Sequence, residues 1–135
     1  MPETLEFELV SPEKLLISEL VEMVVVPGAE GDLGVLPGHS PLIANVRPGV
    51  INIHKDSVVK SSIFVAGGFC EISTDRCTVL ATEAILVSEI DREAAEERAT
   101  HAKQIELDVD VDNRAREKAE LDRKIAEAMI AALSN

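Results

Sequence analysis

Aromatic side chains are nearly absent from this chain, which contains no Trp, no Tyr and three Phe. Because 46% of its 135 residues are nevertheless hydrophobic, a core would have to be built mainly from Val, Ile, Leu and Ala. A chain of this length forms one compact unit, or one small domain with an appendage. The composition therefore predicts a small fold with an aliphatic core.

Long apolar runs and a targeting segment are also missing. No stretch of about 18 or more apolar residues occurs, so no membrane-spanning helix is expected. The start, Met1-Pro2-Glu3, lacks the basic and apolar regions of a secretory signal, and it is neither arginine-rich nor free of acids as a transit peptide would be. We therefore expect a soluble, cytoplasmic chain without direct membrane insertion.

Basic residues are outnumbered, with 13 Lys and Arg against 25 Asp and Glu and a net charge of −12. A backbone of phosphates would be repelled, so nucleic acid is not an expected partner. The same charge disfavours direct adsorption to anionic lipid. It does not disfavour a protein partner that is itself embedded in a membrane.

Cysteine is scarce as well, with Cys70 and Cys77 the only two. Their spacing is too wide for C-x-x-C redox chemistry, and no histidine or second cysteine pair completes a zinc set. Both lie in strand-like segments, so we predict two buried thiols and no metal site.

The pattern up to about Ser88 is that of β-structure. Residues 5–9 alternate between apolar and acidic side chains, as a half-buried strand does. Further short apolar or β-branched runs cover residues 15–17, 21–26, 50–53, 63–66, 70–72 and 78–81. Turn formers such as Pro27-Gly28 and Pro48-Gly49 separate them. Many short strands with frequent turns predict an all-β sandwich or barrel.

From Asp91 onward the pattern is helical, because Gly and Pro disappear and strong helix formers dominate. Asp91 fits an N-cap, and a stripe at helical spacing follows: Ala95, Ala99, Ala102 and Ile105. Residues 108–113, rich in Asp and Val, interrupt it. A second helix is expected with one apolar face: Leu121, Ile125, Ala128 and Ala132. The prediction is an αα-hairpin. Since each buried methyl contributes only about 0.8 kcal/mol, we hypothesise a detachable arm.

No set of residues converges on a reaction. Residues 28–34 contain three glycines, but their spacing matches neither G-x-G-x-x-G nor a P-loop, so we interpret them as a tight exposed turn. Asp108, Asp110 and Asp112 imitate the start of a calcium loop, but Asn113 and Ala119 occupy the positions that need Gly and Glu. The histidines, His39, His54 and His101, are scattered and have no neighbouring nucleophile. We therefore predict a binding or regulatory role and no enzymatic activity.

Several segments, taken together, are similar to one known family. They are residues 9–13, 21–28, 30–42, 47–50, 64–72, 78–81 and 90–91. In this order they resemble the epsilon subunits of bacterial F-type ATP synthases, whose mitochondrial counterpart is called delta. The resemblance implies a β-sandwich of about ten strands in two sheets over residues 1–88. It also implies a C-terminal α-helical hairpin over residues 89–135, with the hinge at Ile90 and Asp91.

The resemblance implies a non-catalytic subunit of the rotating central stalk. Such a subunit couples rotation of the c-ring, driven by protons, to ATP synthesis in the catalytic head at the cytoplasmic face of the bacterial inner membrane. The residues implied to face the c-ring are Glu30, Gly31, Asp32 and His39. Those implied to face the gamma subunit are Ser11, His39, Ser40, Pro41 and Ala44. A simpler alternative is that the two acids only keep an exposed turn soluble.

The helical arm is implied to reach the alpha and beta subunits of the catalytic head and to restrain ATP hydrolysis. The bases that would meet an acidic loop there are Arg114, Arg116, Lys118, Arg123 and Lys124. Alternatively, these bases alternate with acids on an ordinary solvated helix face. The sequence leaves both interpretations open.

Some members of the family bind ATP through a motif of Ile or Leu, Asp, two variable residues, Arg and Ala. Here the motif begins at Ile90 and Asp91, but Ala94 occupies the Arg position, so the guanidinium that would hold phosphate is missing. We therefore expect no cofactor. A free-standing regulatory nucleotide-binding β-sandwich protein is the alternative function.

Overall fold

The computed structural model describes residues 3–134, which form ten strands followed by two long helices. The strands are β1 (Leu5–Val10), β2 (Leu15–Val21), β3 (Met23–Gly28), β4 (Gly31–Val35), β5 (Leu42–Val46), β6 (Gly49–Lys55), β7 (Val58–Val65), β8 (Gly68–Ile72), β9 (Arg76–Ala81) and β10 (Ala84–Leu86). A short 3-10 turn at Val87–Glu89 precedes the helices α1 (Arg92–Leu107) and α2 (Asn113–Ala132). The chain divides into two compact units, one ending at Ser88 and one starting at Glu89.

The ten strands are hydrogen-bonded into one curled sheet. Their order is β10-β7-β6-β3-β5-β8-β9-β1-β2, with β4 paired to β3 outside this path. Neighbours are antiparallel except β1 and β9, which run parallel. Because Phe7 of β1 and Ile53 of β6 share one core, the sheet closes into a sandwich. The predicted sandwich of about ten strands is confirmed. Its layers are connected through β5, which pairs with β3 on one side and β8 on the other.

The core of the sandwich lies between the inward faces of the strands. Strand β1 shows the origin of this arrangement, since Leu5, Phe7 and Leu9 are buried while the intervening residues are half-buried on the outer face. Burying one such side chain stabilises the fold by about 1.5–3 kcal/mol. Among the described residues no polar or charged side chain is buried, so the sandwich depends on aliphatic packing.

Two backbone positions define tight local geometry in the sandwich. Asp56 and Ser57 both have positive φ, 54° and 65°, which is the conformation of a two-residue hairpin turn between β6 and β7. Gly68 has φ of +144°, and a β-carbon there would lie 1.9 Å from the carbonyl oxygen of Leu80. Only glycine therefore fits where β8 meets β9.

Three strands, β4, β5 and β10, were missed by the sequence pattern. Residues 28–34 were interpreted as a tight turn, but only Ala29 and Glu30 form the turn, and Gly31–Val35 pairs with β3. The low strand propensity of Gly and Asp hid β4, and pairing with β3 overrides it.

The helical unit begins and breaks where the sequence predicts. Asp91 accepts a hydrogen bond from the Ala94 backbone N at 3.3 Å and caps α1. Asp112 accepts one from the Ala115 backbone N at 2.8 Å and caps α2. The predicted αα-hairpin is confirmed. In the described part of the chain, no helix combines the length and apolarity that crossing a membrane requires.

The predicted apolar face of α2 is right for Ile125 and Ala132 but wrong for Leu121, which is 55% exposed. The buried stripe instead includes Ala119 and Ala126. At 100° per residue Leu121 lies only about 40° around the helix from Ile125, so it borders the buried stripe without being covered.

Candidate functional site

The turn between β3 and β4 holds the predicted acidic site. Gly28 pairs with Gly31 across the ladder, which leaves Ala29 and Glu30 at the tip. A β-carbon on Gly28 would lie 2.6 Å from the Gly31 carbonyl oxygen, so the strands close tightly here. Glu30 and Asp32 are both exposed at this end of the sandwich.

Arg47, which directly follows β5, ties this turn together. Its Nη2 donates to Asp32 Oδ1 at 2.7 Å, and its Nη1 donates to the Gly28 carbonyl oxygen. Its backbone N donates to the Pro27 carbonyl oxygen at 2.9 Å. Glu30, by contrast, makes no hydrogen bond or ion pair with the described residues. One acid is therefore paired within the chain and the other is not.

A cleft of about 410 Å³ lies between this turn and β5. Glu30, Gly31 and Asp32 line one part of it, and Ala44 lines another, so the structure brings together residues predicted for two different partners. Ala44 itself packs against the sandwich core, whereas its neighbour Ile43 is 71% exposed. Ile43 and Leu42, which is 40% exposed, are thus the large apolar side chains that β5 leaves exposed.

The loop between β4 and β5 carries His39, Ser40 and Pro41. His39 Nδ1 lies 2.6 Å from the Ser40 carbonyl oxygen, so Nδ1 donates and neutral His39 keeps Nε2 as an acceptor. The Gly38 backbone N donates to the Thr74 carbonyl oxygen at 2.7 Å and anchors the loop. Within the described residues, no hydrogen bond or ion pair joins His39 to either acid of the β3–β4 turn.

An exposed apolar row, which sequence reasoning missed, crosses β8, β9, β1 and β2. It consists of Phe69, Leu80, Val10 and Leu15, which are paired in succession across the strands. Phe69 is 44% exposed, Leu80 37% and Leu15 54%. Ser11, a predicted gamma-facing residue, immediately follows Val10. The signal in the sequence is an apolar residue at the outward position of each strand, beside buried Cys70, Val79 and Leu9.

The two thiols add no reactive group to these surfaces. Cys70 and Cys77 are buried and free, which confirms the prediction. Burial raises the pKa of Cys77 to about 12, with nearby Cys70 acting in the same direction, and burial also raises the pKa of Cys70. Both thiols are therefore protonated at neutral pH, and the nucleophilic thiolate is suppressed. Across residues 3–134 no cluster of potential metal ligands forms.

Two of the five predicted bases of the arm bond across the helical hairpin. Arg116 donates to the Glu106 and Asp108 carbonyl oxygens at 3.2 and 3.0 Å. Arg123 binds Glu106 through both carboxylate oxygens, at 2.6 and 3.2 Å, and binds Glu127 at 2.6 Å.

The remaining three bases differ from these. Lys124 pairs with Glu120 at 3.0 Å, along the same helix. Arg114 and Lys118 have no hydrogen-bond or ion-pair partner among the described residues. Among the five predicted bases, they are therefore the two that a partner can reach without breaking a bond within the hairpin.

The first turn of α1 contains the positions of the ATP motif. Ala94 is exposed there, and Arg92 pairs with Glu96 at 3.7 Å. Asp91 acts as the N-cap, so its carboxylate is used by the helix itself. These residues supply no convergent phosphate contacts of the kind the motif provides.

Comparison with known proteins decides the family. Residues 4–87 match the family described as "ATP synthase, Delta/Epsilon chain, beta-sandwich domain", which is more than half of the chain. The chain belongs to this ATP synthase delta/epsilon family. It is 54% identical to the ATP synthase epsilon chain of Paramagnetospirillum magneticum, over 99% of this chain and 100% of that one. It is 50% identical to the epsilon chain of Rhodospirillum rubrum, over 98% of each.

Solved structures agree with the family assignment. A chain of the Euglena gracilis mitochondrial ATP synthase, in an OSCP/F1/c-ring structure, has a TM-score of 0.85 at 25% identity, over 98% of this chain and 83% of that one. A chain from the Tetrahymena thermophila central stalk and c-ring has a TM-score of 0.65 at 16% identity and supports the fold alone. This family member is a non-catalytic subunit of the ATP synthase rotor stalk, as predicted.

Proposed function

We propose that the sandwich joins the gamma subunit to the c-ring, so that rotation of the ring reaches the catalytic head. The observation that carries this proposal is the full-length similarity to ATP synthase epsilon chains. Two exposed surfaces on one continuous sheet support it. They are the apolar row and the acidic turn between β3 and β4.

The apolar row is the proposed seat of gamma. A contiguous patch of exposed apolar side chains commonly marks a surface to which a protein partner binds. Phe69 would be its main anchor, with Leu80 paired beside it, because aromatic side chains are enriched at the buried core of protein interfaces. Ser11 lies at its edge, and the gamma-facing role implied for His39, Ser40, Pro41 and Ala44 extends the surface toward β5.

The β3–β4 turn is the proposed contact with the loops of the c-ring. Its acids would pair with basic side chains, which provides orientation and speed of association more than affinity. His39 would add a contact through Nε2. The chain would then lie peripherally on the cytoplasmic face of the bacterial inner membrane, within a proton-driven synthase.

The helical arm is proposed to restrain ATP hydrolysis by reaching the alpha and beta subunits. Arg114 and Lys118 are available while the hairpin is closed, whereas Arg116 and Arg123 must first leave their partners on α1. The competing interpretation, a solvated face of alternating charges, predicts that none of these bases affects hydrolysis. Under both interpretations, residues 1–88 would couple rotation of the ring to ATP synthesis. Residues 89–135 would restrain hydrolysis under the first interpretation and would have no effect on it under the second.

The test is to remove this subunit from the purified synthase, return it, and measure proton-coupled ATP synthesis in vesicles. The wild-type chain should restore coupling. Leu80→Glu, which places a charge in the apolar row, should weaken association with gamma by at least about tenfold. Val58→Glu is the matched control, since Val58 is 51% exposed outside the row. If Leu80→Glu and Val58→Glu bound gamma equally well, the apolar row would not be the surface that binds gamma.

The arm is tested separately by ending the chain after Ser88. Synthesis should persist, and hydrolysis should rise if the arm restrains it. Loss of assembly would contradict the proposed division of labour. Unchanged hydrolysis would support the solvated-face interpretation.

A further inference from the structure

Three charged residues meet at the β3–β4 turn, and only two of them are paired. Arg47 lies 2.7 Å from Asp32 and also binds the Gly28 carbonyl oxygen. Glu30 forms no ion pair or hydrogen bond with the described residues. The turn therefore presents one unbalanced negative charge, and that charge belongs to Glu30.

The cleft beside the turn has the shape and chemistry for a long cationic side chain. Leu33, Leu42 and Ile43 provide apolar walls. The lining also contains both acids, Glu30 and Asp32, of which Asp32 is already paired with Arg47. Lys and Arg lay their methylene stems along apolar surface while the charged head reaches a polar partner. The cleft volume of about 410 Å³ accommodates such a side chain together with part of the loop that carries it.

We propose that Arg47 is a positioning residue that reserves Glu30, rather than Asp32, as the carboxylate that meets a cationic side chain of the c-ring in this cleft. The inference rests on the proposed contact with the c-ring. Arg47 fixes the turn through Gly28, and it occupies Asp32 before any incoming base arrives. A guanidinium already hydrogen-bonded to Asp32 competes directly with that base.

The experiment returns full-length variants to a synthase stripped of this subunit. It measures the concentration that restores half of the proton pumping, at low and at high salt. Glu30→Gln should raise this concentration about fivefold at low salt and flatten its salt dependence, because an exposed charge pair is screened by salt. Asp32→Asn should change it less than about twofold, since its charge is already neutralised. Asp56→Asn, at the exposed β6–β7 turn, is the matched control and should change nothing.

A double-mutant cycle separates positioning from mere stability. In an Arg47→Met background Asp32 is released, so adding Asp32→Asn should now cost about fivefold. Arg47→Lys retains the positive charge and should restore insensitivity to Asp32→Asn. Circular dichroism of each purified variant checks that the sandwich is intact. A structural role for Arg47 alone would not change the effect of Asp32→Asn between the backgrounds.

The outcomes distinguish this proposal from the proposed function. Equal losses for Glu30→Gln and Asp32→Asn with Arg47 present would overturn the role of Arg47 and leave the c-ring contact standing. If both acid variants behave like Asp56→Asn, the turn does not make that contact and this proposal fails. If the unmodified chain restores no pumping, the proposed function itself fails.

Discussion

The sandwich and the helical hairpin are stabilised by different forces. The sandwich core is apolar throughout, and no polar side chain of the described residues is buried. In the hairpin the buried residues are mostly small, and directional bonds cross between the helices, as from Arg98 to Asp122 at 2.7 Å and from Arg123 to Glu106. Simple salt screens exposed charge pairs, whereas it does not weaken apolar burial. We therefore expect the hairpin to respond to ionic strength more than the sandwich does.

The largest effect is expected in the sandwich core. Phe7→Ala should lower the free energy of unfolding of the sandwich by about 3–5 kcal/mol, because the buried ring leaves a cavity. Phe69→Ala, at an exposed position, should cost about 0.5 kcal/mol. Urea unfolding followed by far-ultraviolet circular dichroism measures both, since the chain has no Trp or Tyr for fluorescence. If Phe7→Ala and Phe69→Ala lowered the free energy of unfolding equally, apolar burial would not be what stabilises the sandwich.

Backbone geometry gives the next largest effect. Gly68→Ala should destabilise the sandwich by about 1–3 kcal/mol or more, because its positive φ and the Leu80 carbonyl leave no place for a β-carbon. Gly34→Ala is the control, since nothing lies within 4 Å of a β-carbon there. The same urea titration compares them. A Gly68→Ala chain as stable as Gly34→Ala would show that the β8–β9 contact relaxes freely.

A smaller effect is expected from a helix cap in the hairpin. Asp112→Ala should destabilise α2 by about 1 kcal/mol, because the Ala115 backbone N loses its acceptor. Asp110→Ala, two residues earlier and without a capping contact, should leave α2 unchanged. Amide hydrogen exchange across α2 reports the difference. Faster exchange in β1–β10 would contradict the independence of the two units.

The smallest effect, and the one that depends on salt, concerns Arg123. Arg123→Met should speed amide exchange in α1 and α2 at low salt, because the contacts to Glu106 and Glu127 are lost. The part of the difference that comes from the more exposed pair with Glu127 should shrink in 1 M salt, where exposed charges are screened within about 3 Å, whereas the part-buried pair with Glu106 is screened less. Arg114→Met, on the same helix and without an ion pair to residues 3–134, should leave exchange unchanged. A salt-independent difference would show that Arg123 acts through packing.

The features that the sequence predicts are those determined by residues close to one another in the chain. The alternation in β1 and the cap at Asp91 are local in this sense, so both could be predicted. The bond from Arg47 to Asp32 spans 15 residues, and the apolar row requires the register between Phe69 and Leu80. Such features depend on tertiary pairing, which short-range patterns do not encode. The family resemblance indicated the acidic turn but not that Arg47 pairs with Asp32.

The parallel ladder between β1 and β9 constrains how the chain is made. Arg76 bonds to Glu6, 70 positions earlier, and to Glu8 beside it. During synthesis β1 has one edge without its partner until nearly the whole sandwich has left the ribosome. Closing so large a loop is slow, because residues distant in sequence lose more chain entropy before their contact stabilises the fold. The nascent chain therefore exposes Leu5, Phe7 and Leu9 for longest, and these are the residues a chaperone would first encounter.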